Sequence, residues 1–155
     1  MLSKEKSINL FIAVLTPLAI AAVVWAVSGI TADSIDAGVI TLSALTIFCS
    51  CYLRVQLPRV NLHVTISDGL IILAMLLYGG EIALLLAVIE TTLASVNILR
   101  TGVKITPRTI LVNTYFAALA VFTAAKAVTF IFGSVEIIRQ RGDATSFIWL
   151  LSVMA

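Results

Sequence analysis

Charge is what this chain has least of. Only 12% of its 155 residues are charged, while 61% are hydrophobic, and its mean hydropathy is +1.13. A soluble domain carries about a quarter charged residues, and a chain of this length could not cover a surface in water with so few. The shortage excludes a soluble globular domain, a disordered chain and a nucleic-acid-binding module, and leaves a polytopic membrane protein. Metal and redox ligands are scarce too, with two cysteines and one histidine. Cys49 and Cys51 stand at i, i+2 in one apolar run, so on a helix they point apart and read as small apolar residues. His63 has no carboxylate or cysteine at ligand spacing; it reads as a residue of the cytoplasmic interface, and no metal site is expected. Catalytic patterns are missing as well. There is no phosphate-binding glycine loop, no nucleophile beside a base and no His/Glu pair at metalloprotease spacing. The segment is not expected to be an enzyme or to carry a cofactor.

What is present is apolar sequence in long runs. A bilayer core of about 30 Å takes roughly 20 apolar residues per helix. The runs predict an all-α, polytopic transmembrane bundle of five spans plus the start of a sixth, forming a single integral-membrane domain over residues 1–155. The first span, 8–27, follows Lys4 and Lys6; it is too long for a signal-peptide core and lacks a cleavage site. Pro17 is expected to kink it. A polar turn with Asp33 and Asp36 leads to the second span, 37–53, and a basic loop runs from Arg54 through Pro58 to Arg59.

Residues 60–67 alternate apolar and polar, the pattern of a strand in water. An isolated strand in lipid leaves its backbone unsatisfied, so the stretch is read as the polar start of a helix or an irregular segment shielded by other helices. Asp68, followed by Gly69, reads as the cap of a short helix ending at Tyr78. Residues 69–78 would reach only about 15 Å, so a full third span must take in part of 63–67. Gly79-Gly80 makes a tight turn, and Glu81 opens a fourth span, 82–98, antiparallel to the third. A second basic loop, 100–108, contains Gly102 and Pro107, and the fifth span is 109–132. A polar segment, 134–145, precedes a new apolar run from Ser146 to Ala155, read as a sixth span cut short.

The charges are sorted by side. Lys4, Lys6, Arg54, Arg59, Arg100, Lys104 and Arg108 fall on one side of the spans, and only Arg139 and Arg141 on the other, a bias of seven to two. By the positive-inside rule the N-terminus is cytoplasmic. Trp25 and Tyr78 then fall at the outer boundary and Tyr52 at the inner one. Ala83 with Ala87, and Ala120 with Ala124, have the small-residue spacing that lets helices approach closely.

An ionisable group inside a span is a candidate functional residue. Glu90 lies nine residues from the outer end of its span and Lys126 six residues from the outer end of its own. Counted from those ends, they sit about 13 Å and 9 Å deep. Those depths allow an ion pair that fixes register, an outward-snorkelling Lys126, or a ligand or proton role. Asp68 is the third candidate. Asn97, Asn113, Thr91, Thr92 and Thr114 read first as interhelical hydrogen-bonding residues, and Glu90, Thr91, Asn113 and Lys126 alternatively as the lining of one polar pocket for a small amphipathic ligand. The expected partners are the lipid bilayer and, as candidates, a small-molecule ligand or a second copy of the chain in a homodimer. No nucleic-acid partner is expected.

The run over residues 62–90, LHVTISDGLIILAMLLYGGEIALLLAVIE, with the opening PRTILVN of 107–113, resembles the N-terminal membrane region of bacterial cyclic-di-GMP signalling proteins. Those regions have a polar serine–aspartate opening, an apolar hairpin broken at glycine and an alanine-rich helix. The resemblance covers about residues 50–132. It implies a sensor-like module of the bacterial inner membrane that precedes a cytoplasmic GGDEF cyclase or HD-GYP phosphodiesterase domain, neither of whose motifs occurs in this sequence. The same hairpin is similar to six-helix substrate-binding subunits of vitamin transporters. Two functions are therefore expected: a membrane input module whose output domain lies outside this sequence, or a small-solute binding subunit of a transporter. A membrane anchor that dimerises through its helices is a third.

Overall fold

The computed structural model describes residues 4–31, 35–52, 54–56, 63–100 and 106–132. Five helices carry the fold: α1 (Lys4–Gly29), α2 (Ala37–Tyr52), α3 (Ile66–Tyr78), α4 (Gly80–Arg100) and α5 (Pro107–Phe132). A strand pair, β1 (Arg54–Gln56) and β2 (His63–Thr65), joins α2 to α3. The polar segment 134–145, the apolar run 146–155 and residues 57–59 and 101–105 of the two basic loops lie outside the described residues.

Three helices are long and apolar enough to cross a membrane, over Leu10–Gly29, Gly80–Arg100 and Pro107–Phe130. α2 and α3, with 16 and 13 residues, reach about 24 Å and 20 Å and fall short of a bilayer core. The exterior is what lipid favours. Leu10, Phe11, Val14, Leu18, Val24, Ile40, Phe48, Leu111, Phe116 and Phe130 are all exposed, a larger apolar surface than a soluble monomer tolerates.

α4 is the centre of the bundle and touches all four other helices. Its buried residues include Ile82, Ala83, Leu86, Ala87 and Glu90, so the Ala83–Ala87 stripe faces inward as its spacing predicts. On α5 the outcome differs. Ala120 is exposed, and the buried small residues are Ala118 and Ala125. α1 contributes Ala19, Ala22 and Ala26, and Ala22 and Ala26 pack with Leu84 and Ala118. Lipid tails are as apolar as these side chains, so close packing and hydrogen bonds hold such helices together, not the hydrophobic effect.

Local signals set the helix ends. Asp36 Oδ1 accepts a hydrogen bond from Val39 N at 2.8 Å, which caps α2. Thr106 caps α5 in the same way, with Pro107 as the first helical residue. Gly79, at φ +98°, ends α3 by donating its N–H to Met75 O and starts α4 by accepting from Ala83 N. The left-handed conformation is why glycine stands there. At Gly80 a Cβ would meet Ala125 Cβ at 2.5 Å, so glycine there permits the closest approach of α4 to α5.

Two expectations are corrected in the α2–α3 connection. Residues 63–65 form a strand, because the chain supplies a partner: Arg54 pairs with Thr65, Val55 with Val64 and Gln56 with His63. Pairing satisfies the backbone groups that face between the two strands, while the outer edge of each still needs water or other protein. α3 starts at Ile66, so Asp68 lies within the first turn and is not the cap. Its carboxylate still faces the positive end of the helix dipole from an exposed position.

Candidate functional site

Most hydroxyls in these helices are spent locally. Thr16, Thr41, Thr46, Ser95, Thr123 and Thr129 each donate to the carbonyl four residues back, the usual alternative open to a hydroxyl within a helix; one of Thr92 and Thr114 does the same while the other donates across to it. Three others converge on one carboxylate. Glu90, on α4, is 7% exposed. Its Oε1 accepts a hydrogen bond from Ser50 Oγ of α2 and one from Ser67 Oγ of α3, the latter at 3.0 Å, and its Oε2 accepts from Thr91 Oγ1 at 3.3 Å.

Sequence periodicity places each group. Glu90 extends the inward stripe of Ala83 and Ala87 by one more turn of α4. Ser50 follows Val39 and Thr46 on the buried face of α2, and Ser67 precedes Ile71 and Ala74 on that of α3. Ser50 and Ser67 are 1% and 0% exposed, so their hydroxyls need a partner inside the protein. Because Ser67 is the second residue of α3, the carboxylate lies against the positive end of that helix dipole. Ser50 lies two residues before the end of α2 and Ser67 two residues after the end of β2. One carboxylate therefore holds both roots of the strand pair. A second tie lies nearby, where Asn97 Nδ2 donates to Cys51 O at 3.3 Å and satisfies a carbonyl in the last turn of α2.

Lys126 is elsewhere. Its ammonium sits 4.1 Å from the centroid of the Trp25 ring and 5.5 Å from that of Phe122, and the two rings meet edge to face at 5.2 Å. The expected closeness of Glu90 and Lys126 fails on register. Gly80 lies against Ala125 and Thr92 bonds to Thr114, so Lys126 is level with the first residues of α4. Glu90 is ten residues further along α4, about 15 Å away along the axis. α5 extends well past the start of α4, and depths counted from the two helix ends cannot be compared.

The other candidates scatter. Thr91 belongs to the Glu90 cluster. Asn113 is exposed on α5, while its neighbour Thr114 turns inward to Thr92 at 3.3 Å. Among the described residues, Glu90 and Thr91 therefore stand apart from Asn113 and Lys126, and the four do not form one pocket. A cavity of about 210 Å³ lies between α1, α4 and α5, with Val88, Thr114, Tyr115 and Ala118 among its walls. Another, of about 400 Å³, lies between α2 and α3 beside Gly38 and Tyr78. Neither is lined by Glu90, Asn113 or Lys126. Ser50 and Ser67 escaped the sequence reading. The signal was their place, since each continues the apolar face of its helix at helical spacing.

Comparison with protein-family models, curated proteins and solved structures gives no match for this chain.

Proposed function

We propose that the chain is the membrane-embedded input module of a bacterial signal-transduction protein. In this reading all five helices belong to the bilayer region of the inner membrane. The N-terminus is cytoplasmic. α2 and α3 are shorter than a full crossing, and β1 and β2 lie beyond their ends at the cytoplasmic face, where water meets the outer edges of the pair.

The observation that carries the reading is the hold of Glu90 on both roots of that strand pair. α4 touches every other helix, so a displacement of the bundle is felt at Glu90. Glu90 is bonded to the two residues that flank the connector, so the displacement is passed to the cytoplasmic side. A module that relays a change needs such an element, one that two sites can bias. The resemblance to cyclic-di-GMP proteins agrees in direction, because their output domains are cytoplasmic. The solute-binding alternative draws less support, since among the described residues Glu90, Asn113 and Lys126 do not come together.

Reading the gene past codon 155 and assaying the full-length product tests the proposal. The expected result is a cytoplasmic GGDEF or HD-GYP domain whose cyclic-di-GMP turnover changes on Glu90→Gln. A reading frame that stops soon after residue 155 overturns it.

A further inference from the structure

We propose that Glu90, Ser50, Ser67 and Thr91 form a binding site for a small monovalent cation, sodium being the ion that fits best. The inference stands on the geometry of these four side chains and does not depend on the signalling role.

The donor set defines the ion class. One carboxylate and three hydroxyls, drawn from α2, α3 and α4, present oxygen and no nitrogen or sulfur. Such a set selects hard cations over zinc, copper or iron. Charge defines the valence. Glu90 is more than nine-tenths buried, and among the described residues its partners are neutral hydroxyls. A lone carboxylate in an apolar bundle is costly unless a positive charge joins it. Lys126 cannot serve, being level with the first residues of α4, about 15 Å along the axis from Glu90, and held over Trp25. One monovalent ion cancels the charge, whereas a divalent ion would leave an excess positive charge equally buried.

Spacing defines the size. The hydroxyl oxygens of Ser67 and Thr91 lie 3.0 Å and 3.3 Å from the carboxylate oxygens. A small ion seats among them with little movement, whereas a large one must push α2 and α3 away from α4. The existing hydrogen bonds do not prevent coordination. Ion binding takes the place of these hydrogen bonds: each hydroxyl turns about its C–O bond, moves its proton off the carboxylate and offers the ion a lone pair. The bound ion ties together the three helices that supply its ligands.

The test is thermal unfolding of the purified full chain in lipid nanodiscs, in sodium, lithium, potassium and choline chloride at one ionic strength. The expected result is a saturable rise of Tm with sodium over choline, with a smaller rise for potassium. Ser67→Ala weakens the apparent sodium affinity about tenfold, the effect of one lost oxygen contact. Glu90→Gln abolishes the ion-specific rise. Thr92→Val leaves the sodium response unchanged, since that hydroxyl is spent on Val88 O and Thr114. Equal Tm in all four salts overturns the proposal. So does a Tm that responds to pH but not to sodium, which would mark a site for a proton alone, and so does a sodium response that survives Glu90→Gln. If Glu90→Gln does not fold, the four-salt comparison on the unmodified chain and on Ser67→Ala decides.

Discussion

Glu90 and Lys126 are two ionisable residues in apolar helices, and the bundle treats them in opposite ways. Glu90 is buried at mid-helix and surrounded by hydroxyl donors from three helices. Lys126 is exposed, beside the start of α4, with its ammonium over an aromatic ring. The difference follows from what each side chain can reach. A glutamate is short and must be satisfied where its Cα places it. A lysine has a long apolar stem, so it covers hydrophobic surface and carries its charge elsewhere. A buried carboxylate therefore organises its neighbours, while a peripheral ammonium adapts to them.

The contrast predicts unequal costs. Glu90→Ala removes the acceptor that Ser50 and Ser67 share and is expected to destabilise the bundle by about 1–3 kcal/mol, the cost of losing the partner of the buried Ser67 hydroxyl. Reversible unfolding in mixed detergent micelles measures it; a loss as small as that of an ordinary surface substitution would break the comparison. Gly80→Val tests the register that separates the two residues. Its side chain must displace Ala125, at a cost of about 1–3 kcal/mol for overpacking. The milder Gly80→Ala is expected to be partly rescued by Ala125→Gly in a double-mutant cycle. Lys126→Met keeps the stem and removes the charge. It should cost about 0.5–1 kcal/mol, the value of an exposed cation–π contact, and shift the emission of Trp25 in a Trp149→Phe background. A loss matching that of Glu90→Ala would mean that Lys126 is as deeply engaged as the carboxylate. Thr92→Val is the smallest, at about 0.6 kcal/mol for one interhelical hydrogen bond, and the same unfolding assay bounds it.

Much of the architecture was legible because lipid imposes simple rules. Run lengths gave the helices to within a few residues, and Gly79-Gly80 gave the turn, since few residues other than glycine accept φ +98°. Glu90 stood out as a charge within an apolar span. What escaped depends on contacts between segments. The strand over 63–65 was set aside because its partner, 54–56, is visible only once the two are paired. The Glu90–Lys126 pairing failed because register is set by particular contacts, Gly80 with Ala125 and Thr92 with Thr114, which periodicity does not encode. Ser50 and Ser67 were overlooked because a serine in a membrane helix is usually satisfied by its own backbone, and only an acceptor from another helix reveals a different role.

The central place of α4 has a consequence for how the protein is made. Synthesis runs from the N-terminus, so Ser50 and Ser67 emerge before Glu90 does. Until α4 arrives, the α2–α3 pair lacks the carboxylate to which its hydroxyls are bonded in the finished bundle. Those two helices then wait as a half-assembled unit, and the insertion of the fourth helix is the event that locks them. A nascent chain inserted only as far as residue 80 leaves that unit unlocked, while one inserted past Arg100 holds the three helices of the Glu90 cluster.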